Sequence, residues 1–294
     1  MMRRFIKILG GIAPFGAALA IQIVVGSIVA FVYSFAIGLS VGFEMAAEGI
    51  LDQAEIAKVL EERIQQSSNL TLIVSLVGSL ACGILFFFWY RKLIRGETRI
   101  KKRSVFTVKN TATIILLGIG GQFFITAILS LIQPYLEKLF SDYAETMEQL
   151  TGGSLILVIL YTVVIAPIVE ELIFRGVILK KTSRAIPFLG ANLVQAALFG
   201  VYHLNWIQGI YAFCLGMILG IVYHKFKTIF APILLHMIVN TSAFLVAAFP
   251  VNLLILVVML IVGFAFVVIS LVIIRNAKEP AIAVTMEGII LKYE

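Results

Sequence analysis

The sequence predicts an all-α, polytopic membrane protein with about eight transmembrane helices. Of its 294 residues, 61% are hydrophobic and only 13% are charged, and the mean hydropathy is +1.06, well above that of a soluble domain. Apolar runs of about 20 residues, the length needed to cross a bilayer, recur along the chain. This composition excludes a soluble globular enzyme and a disordered chain. The net charge of +7 is assigned to a membrane surface, and we expect no binding of nucleic acid.

The predicted spans follow one another along the whole chain. They cover residues 12–40, 70–90, 111–133, 155–179, 191–204, 206–224, 228–249 and 251–274. The first run is long, so its start is expected in the interface, with Pro14 at a bend. Its basic and apolar beginning is similar to a secretory signal, but the run is too long for one, and we expect it to remain uncleaved. The fifth run is short.

Two connections outside the spans are predicted to contain helices. Apolar residues recur at helical spacing between residues 52 and 66 and again between residues 134 and 150. Both connections are acidic. Such helices could simply lie on the outer leaflet, or they could guide a substrate, and the sequence does not separate the two interpretations.

The basic residues predict the orientation of the chain. All but three of the 23 Lys and Arg residues fall on one side of the predicted spans, the exceptions being Lys58, Arg63 and Lys138. Short loops rich in Lys and Arg stay in the cytoplasm. An even number of spans then predicts a multi-pass protein of the plasma membrane with both termini in the cytoplasm.

Two adjacent carboxylates lie within the fourth predicted span. Glu170 and Glu171 each cost about 3 kcal/mol near the bilayer centre unless they are paired or functional. Glu171 and Arg175 are four residues apart and can form an ion pair on one helix face, and we expect Arg175 to extend toward the cytoplasmic interface. Glu170 points about 100° away and has no such partner in its own span. Pro167 predicts an irregularity in the helix that carries it.

Two histidines and an amide also fall in apolar runs. His203 lies in the fifth predicted span, and His236 and Asn240 lie four residues apart on one face of the seventh. Glu170 and His236 are at similar depths, about 15 Å and 14 Å from the nearest basic residues at the helical rise. His203 reaches a comparable depth if residues 185–190 form an interfacial turn. We therefore expect these side chains to converge in a polar cavity that opens toward the cytoplasm.

These residue types suit the hydrolysis of a peptide bond inside a membrane. A carboxylate and an imidazole can hold and activate a water, and a second imidazole and a carboxamide can stabilise an oxyanion. The same groups could instead bind a divalent metal such as zinc through Glu170, His203 and His236. The zinc-protease pattern H-E-x-x-H is absent from the sequence, so we favour a mechanism without a metal. A metal-dependent mechanism is kept as the alternative.

Three short motifs resemble those of the CAAX prenyl protease and bacteriocin-processing family, also called Abi. The stretch from Glu170 to Arg175 fits E-E-x-x-x-R, the stretch from Phe199 to His203 fits F-x-x-x-H, and the stretch from His236 to Asn240 fits H-x-x-x-N. All three occur in the order of the family. The first three spans and the last one carry no diagnostic motif.

The resemblance implies an intramembrane endopeptidase. Its substrate would be a membrane-associated or prenylated protein or a bacterial peptide. Carried over by position, Glu170 and His203 activate water while His236 and Asn240 stabilise the oxyanion, and Glu171, Arg175 and Phe199 support them. Members of the family have been described as metalloendopeptidases and as glutamate proteases, and some are linked to bacteriocin immunity. We accordingly divide the single membrane domain into N-terminal spans with the two outer helical loops (1–154), a catalytic core (155–245), and a last span with a cytoplasmic tail (246–294).

Two other classes of function remain open from the sequence. A non-proteolytic membrane scaffold could bind a bacteriocin or a membrane sensor and keep the motifs only for packing. An ion-coupled transporter could use the buried Glu and His residues as a relay, although the sequence shows no internal repeat of the kind common in transporters.

Overall fold

The computed structural model describes residues 2–50, 52–65 and 68–283. The helices are α1 (Met2–Ala47), α2 (Gln53–Gln65), α3 (Ser68–Leu93), α4 (Lys102–Val105), α5 (Val108–Ile132), α6 (Glu137–Thr151), α7 (Leu155–Thr182), α8 (Phe188–Tyr202), α9 (Trp206–Phe226), α10 (Phe230–Ala247) and α11 (Leu253–Asn276). Within these ranges the one strand-like contact is an antiparallel bridge between Ile100 and Ile282. The predicted all-α class is confirmed.

Seven of the described helices are long and apolar enough to cross a membrane, namely α1, α3, α5, α7, α9, α10 and α11. The chain is therefore a multi-pass membrane protein. The short fifth run corresponds to α8, which has 15 residues and is about 22 Å long, less than the roughly 30 Å of a hydrocarbon core. Seven of the eight predicted spans thus correspond to long helices, and the fifth corresponds to the short helix α8.

Helices α8 and α9 form a tight antiparallel hairpin. At one end the ring of Phe188 stacks on His224 with centroids 3.9 Å apart. At the other end a Cβ on Gly200 would lie 2.6 Å from the carbonyl oxygen of Gly209, so only small residues permit this approach of the two backbones. The hairpin returns the chain to the end of the bundle from which α8 began, as two full spans would.

Helix α7 lies at the centre of the bundle and contacts α1, α3, α8, α9 and α10. Its packed face includes Ile173, Phe174, Val177 and Ile178, which have no exposed surface. Because the carboxylates belong to this helix, they are surrounded by the helices that carry the other candidate residues.

The two helices predicted in the outer connections are present as α2 and α6. Arg63 of α2 forms an ion pair with Glu44 near the end of α1, with 3.0 Å between nitrogen and oxygen, and Tyr143 of α6 contacts the ring of Tyr211 in α9. Pro14 lies inside α1, and the helix is continuous on both sides of it.

The crossing of α5 and α11 offers a test of the packing. A Cβ on Gly120 would clash with Phe266 and lie 3.1 Å from the carbonyl oxygen of Gly263, whereas a Cβ on Gly121 would meet nothing within 4 Å. We expect Gly120→Leu to lower the free energy of unfolding in micelles by about 1–3 kcal/mol. Gly121→Leu is the matched control and should stay within about 0.5 kcal/mol of the native protein. Equal effects of the two substitutions would contradict this packing.

Candidate active site

The two carboxylates lie on a short α-helical segment between two π-helical ones. Residues Ala166–Glu171 are α-helical, whereas Leu160–Ile165 before them and Leu172–Leu179 after them are π-helical. Pro167 lacks a backbone N–H and cannot continue the regular ladder into the preceding turn. The predicted irregularity at Pro167 is therefore confirmed. Segments of π-helix widen the turn and are frequent at functional sites.

Glu171 is fully buried and binds two partners through one oxygen. Its Oε1 lies 2.7 Å from Nη1 of Arg175 and 3.0 Å from Nδ1 of His236. The predicted ion pair between Glu171 and Arg175 is confirmed. An ionised carboxylate only accepts hydrogen bonds, so Nδ1 of His236 carries the proton of this contact.

Arg175 does not extend to the cytoplasmic interface, and that expectation is wrong. Its side chain has no exposed surface, and Nη2 donates to the carbonyl oxygen of Gly216 in α9 at 3.1 Å. Its guanidinium also lies over the ring of Phe199, 4.6 Å from the centroid. A charged pair with additional hydrogen bonds is what makes burial of two charges tolerable, and these contacts hold Arg175 inside the bundle.

Glu170 finds its partner on another helix. Its Oε2 lies 3.7 Å from Nε2 of His236, and 14% of its side chain is exposed. His236 thus stands between the two carboxylates, with Nδ1 on Glu171 and Nε2 turned toward Glu170. At 3.7 Å these two atoms are too far apart for a direct hydrogen bond with each other. Both can instead bind the same small polar group placed beside them.

His203 lies at the C-terminal cap of α8 instead of within a span, which corrects the predicted span of 191–204. Its Nδ1 lies 2.8 Å from the carbonyl oxygen of Phe199, so Nδ1 donates and Nε2 is left as an acceptor. No direct hydrogen bond joins His203 to Glu170 in the described residues. The two histidines therefore share one feature that the sequence does not reveal: each is anchored through Nδ1.

Phe199 is the packing contact between these groups. Its ring lies 4.9 Å from that of His203 and 5.8 Å from that of His236, edge to face in both cases. The same ring covers Arg175. The ring of Phe199 thus contacts three of the other candidate residues.

Asn240 is connected to the irregular part of α7. Its Nδ2 donates to the carbonyl oxygen of Thr162 at 2.8 Å, and Thr162 lies in the first π-helical segment. An amide nitrogen has two N–H groups, so one of them remains for another acceptor. The side chain is half-buried.

Comparisons with known proteins point to one family. Residues 152–242 match the sequence model of the Rce1-like family, described as type II CAAX prenyl endopeptidase Rce1-like. The "Putative membrane peptidase YdiL" of Bacillus subtilis (strain 168) is 28% identical over 96 residues. That match covers 33% of this chain and 39% of the Bacillus protein. No solved structure is significantly similar to the chain.

The resemblance to the CAAX prenyl protease and bacteriocin-processing family is confirmed. The Rce1-like segment, residues 152–242, nearly coincides with the predicted core of 155–245. It contains every candidate site residue, namely Glu170, Glu171, Arg175, Phe199, His203, His236 and Asn240. The family similarity and the polar centre of the bundle therefore fall in the same helices.

The donor groups of the Rce1-like segment can be compared with what a metal ion would need. The donor chemistry is suitable, because both histidines have Nδ1 bound to an oxygen and Nε2 directed elsewhere, as metal-binding histidines do. In this arrangement the residues that the structure describes contain no group of three His, Cys, Asp or Glu side chains able to hold one ion.

Two polar features near the candidate site were missed from the sequence. Asn192 and Gln195 of α8 are fully buried behind Arg175. A second set joins α1, α3 and α8, since Gln22 of α1 donates to Tyr202 of α8 at 3.0 Å and lies 3.4 Å from Ser79 of α3. The sequence carried the same signal for these residues as for the histidines, because Asn192, Gln195 and Gln22 are amide side chains inside apolar runs.

Proposed function

We propose that this protein is an intramembrane endopeptidase of the CAAX prenyl protease type. Its substrate would be a membrane-associated or prenylated protein or a bacterial peptide. The observation that carries the proposal is the distance of 3.7 Å between Oε2 of Glu170 and Nε2 of His236 inside a membrane-embedded bundle. The similarity to Rce1-like proteins supports the class of reaction.

In the proposed mechanism a water lies between Glu170 and His236. Glu170 accepts a proton as the water oxygen bonds to the substrate carbonyl carbon, and it returns that proton to the leaving nitrogen when the C–N bond breaks. Glu171 keeps His236 in one tautomer and one orientation. The free N–H of Asn240 is the proposed oxyanion donor, and a preorganised donor of this kind contributes about 3 kcal/mol.

This assignment changes the role that the resemblance implied for one histidine. His236 joins Glu170 in holding the water, because its Nε2 faces that carboxylate. His203 remains a proposed second base, since its Nε2 is an acceptor and its ring packs against Phe199 beside His236. Asn240 is then the residue that we propose stabilises the oxyanion.

Mass spectrometry of cellular peptides tests the proposed function. Cells would produce the native protein, Glu170→Gln, or the control Glu55→Gln, which alters an exposed acid of α2, all at equal abundance. We expect a set of membrane-derived peptides that appears with the native protein and the control and is absent with Glu170→Gln. Identical peptide profiles would contradict the proposal. A phenotype retained by Glu170→Ala would then favour a scaffold or immunity protein, whereas ion flux in liposomes lost with Glu170→Gln would favour a transporter.

We also propose that the reaction needs no metal. Chelation with EDTA followed by gel filtration should leave the cleavage rate within about twofold of the untreated protein, because a proton shuttle through Glu170 does not depend on an ion. Loss of cleavage that returns with added Zn²⁺ would contradict this part of the proposal. Zn²⁺ added to untreated protein serves as the control for inhibition by excess metal.

The proposed orientation places the basic end of the bundle in the cytoplasm of a plasma-membrane protein. Single cysteines would be introduced as Lys58→Cys in α2 or Lys109→Cys in α5, both exposed positions, in a chain with Cys82→Ala and Cys214→Ala. A charged, membrane-impermeant thiol reagent should label position 58 on intact cells and position 109 only after permeabilisation. The reverse pattern would contradict the orientation.

A further inference from the structure

A pair of buried amides lies directly behind the ion pair of the candidate site. We call Asn192 and Gln195 the amide clamp. Both side chains belong to α8 and have no exposed surface. Nε2 of Gln195 lies 2.8 Å from Oδ1 of Asn192 and 2.9 Å from the carbonyl oxygen of Gly216. Nδ2 of Asn192 donates to the carbonyl oxygen of Met217 at 3.0 Å. The clamp therefore binds two consecutive carbonyl groups of α9.

The contacts of Gln195 fix the orientation of its amide. Nε2 faces two acceptors, the oxygens of Asn192 and Gly216, so an exchange of Nε2 and Oε1 would bring oxygen against oxygen. Both N–H groups of this amide are therefore used. Both side chains also lie where α9 has a glycine, because a Cβ on Gly220 would clash with Asn192 and lie 3.0 Å from Nε2 of Gln195.

The carbonyl oxygen of Gly216 connects the clamp to the candidate site. It accepts from Gln195 at 2.9 Å and from Nη2 of Arg175 at 3.1 Å. Nη1 of the same guanidinium binds Glu171, and Glu171 binds His236. A continuous series of hydrogen bonds thus runs from α8 through α9 and α7 to the histidine on α10, which faces Glu170.

We propose that Gln195, held by Asn192, is a positioning residue for the proposed reaction. It keeps the Gly216 carbonyl where Arg175 can bind it, and so limits the freedom of Arg175, Glu171 and His236. Its importance for cleavage rests on the proposed function, whereas its effect on His236 does not. Supporting groups of this kind typically change activity by about 10–100-fold when they are removed.

The test follows the Nδ1–H proton of His236 by NMR in micelles. The chain has only three histidines, His203, His224 and His236, so single substitutions assign the signals. In Gln195→Met, which keeps the length of the side chain and removes both N–H donors, we expect the exchange of this proton with solvent to accelerate about tenfold. Asn192→Leu leaves the contact of Gln195 with Gly216 and should give a smaller increase, about two- to threefold.

Gln122→Met is the matched control. Gln122 is a half-buried membrane glutamine that binds Thr126 within α5, and its replacement should leave the exchange of His236 unchanged. Unchanged exchange in folded Gln195→Met, judged by circular dichroism and gel filtration, would overturn the proposal. If that variant does not fold, unchanged exchange in Asn192→Leu overturns it instead.

Cleavage of the peptides found by mass spectrometry separates this inference from the proposed function. Gln195→Met should lower kcat about tenfold and leave KM within about twofold, because the clamp does not touch the substrate. Faster exchange in a protein whose native form cleaves nothing would support the clamp and refute the peptidase. An effect on KM alone would overturn the positioning role.

Discussion

Glu170→Gln is expected to reduce peptide cleavage by about 10³-fold, within the usual range for loss of a general base. Glutamine keeps the size of the side chain but cannot accept a proton from water at this position. The fold should survive, since Glu170 makes no direct hydrogen bond within the part of the chain that the structure describes and is partly exposed. The measurement is the cleavage rate of purified protein in liposomes, with Glu55→Gln as the control.

The partner of Glu170 gives a second comparison within the same experiment. His236→Gln should cost a similar factor, and the double variant with Glu170→Gln should be little worse than either single one, because both groups hold the same water. Independent, multiplicative losses would mean that the two residues act at different steps. A Glu170→Gln variant that keeps more than a tenth of the native rate would argue against Glu170 as the base.

Arg175→Met is expected to lower the free energy of unfolding by about 3–5 kcal/mol, because it leaves the fully buried Glu171 as an unpaired charge. The side chain also loses its contacts with Gly216 and with the ring of Phe199. Chemical unfolding in micelles measures the effect. Combining Arg175→Met with Glu171→Gln removes both charges and should recover most of the stability.

The double variant separates stability from function. A neutral amide at position 171 cannot hold His236 as an ionised carboxylate does, so the folded double variant should still cleave at least tenfold more slowly than the native protein. As a control, Lys180→Met breaks the partly exposed ion pair with Glu97 and should cost no more than about 1 kcal/mol. If Arg175→Met and Lys180→Met were equally stable, the buried pair would not have the importance that its burial indicates.

The local features of the site were predictable where they depend on spacing along one helix. The ion pair of Glu171 with Arg175 follows from their separation of four residues, and the irregular helix follows from Pro167. The apolar runs likewise predicted the long helices, because a bilayer sets their length. The helices α2 and α6 in the two acidic connections followed from the period of their apolar residues.

The contacts between helices were not predictable from spacing. These contacts depend on how α7 and α10 are rotated about their axes, which no pattern in a single sequence determines. The rotation directs Arg175 to Gly216 and Glu170 to His236. The expected path of Arg175 to the interface was wrong because the sequence does not reveal the buried acceptors on α9. His203 was placed inside a span because the end of α8 at Tyr202 carries no strong stop signal, and Leu204 adopts a positive φ of 52° without being glycine.

The origin of the oxygen in the cleaved product tests the joint role of Glu170 and His236. Purified protein in liposomes would be incubated with its membrane-peptide substrates in H₂¹⁸O, and the new carboxyl termini would be analysed by mass spectrometry. We predict one ¹⁸O atom in each new terminus with native protein and with Glu55→Gln, and product formed about 10³-fold more slowly with Glu170→Gln or His236→Gln. Labelled product formed at the native rate by Glu170→Gln would contradict the assignment of Glu170 as the residue that activates water.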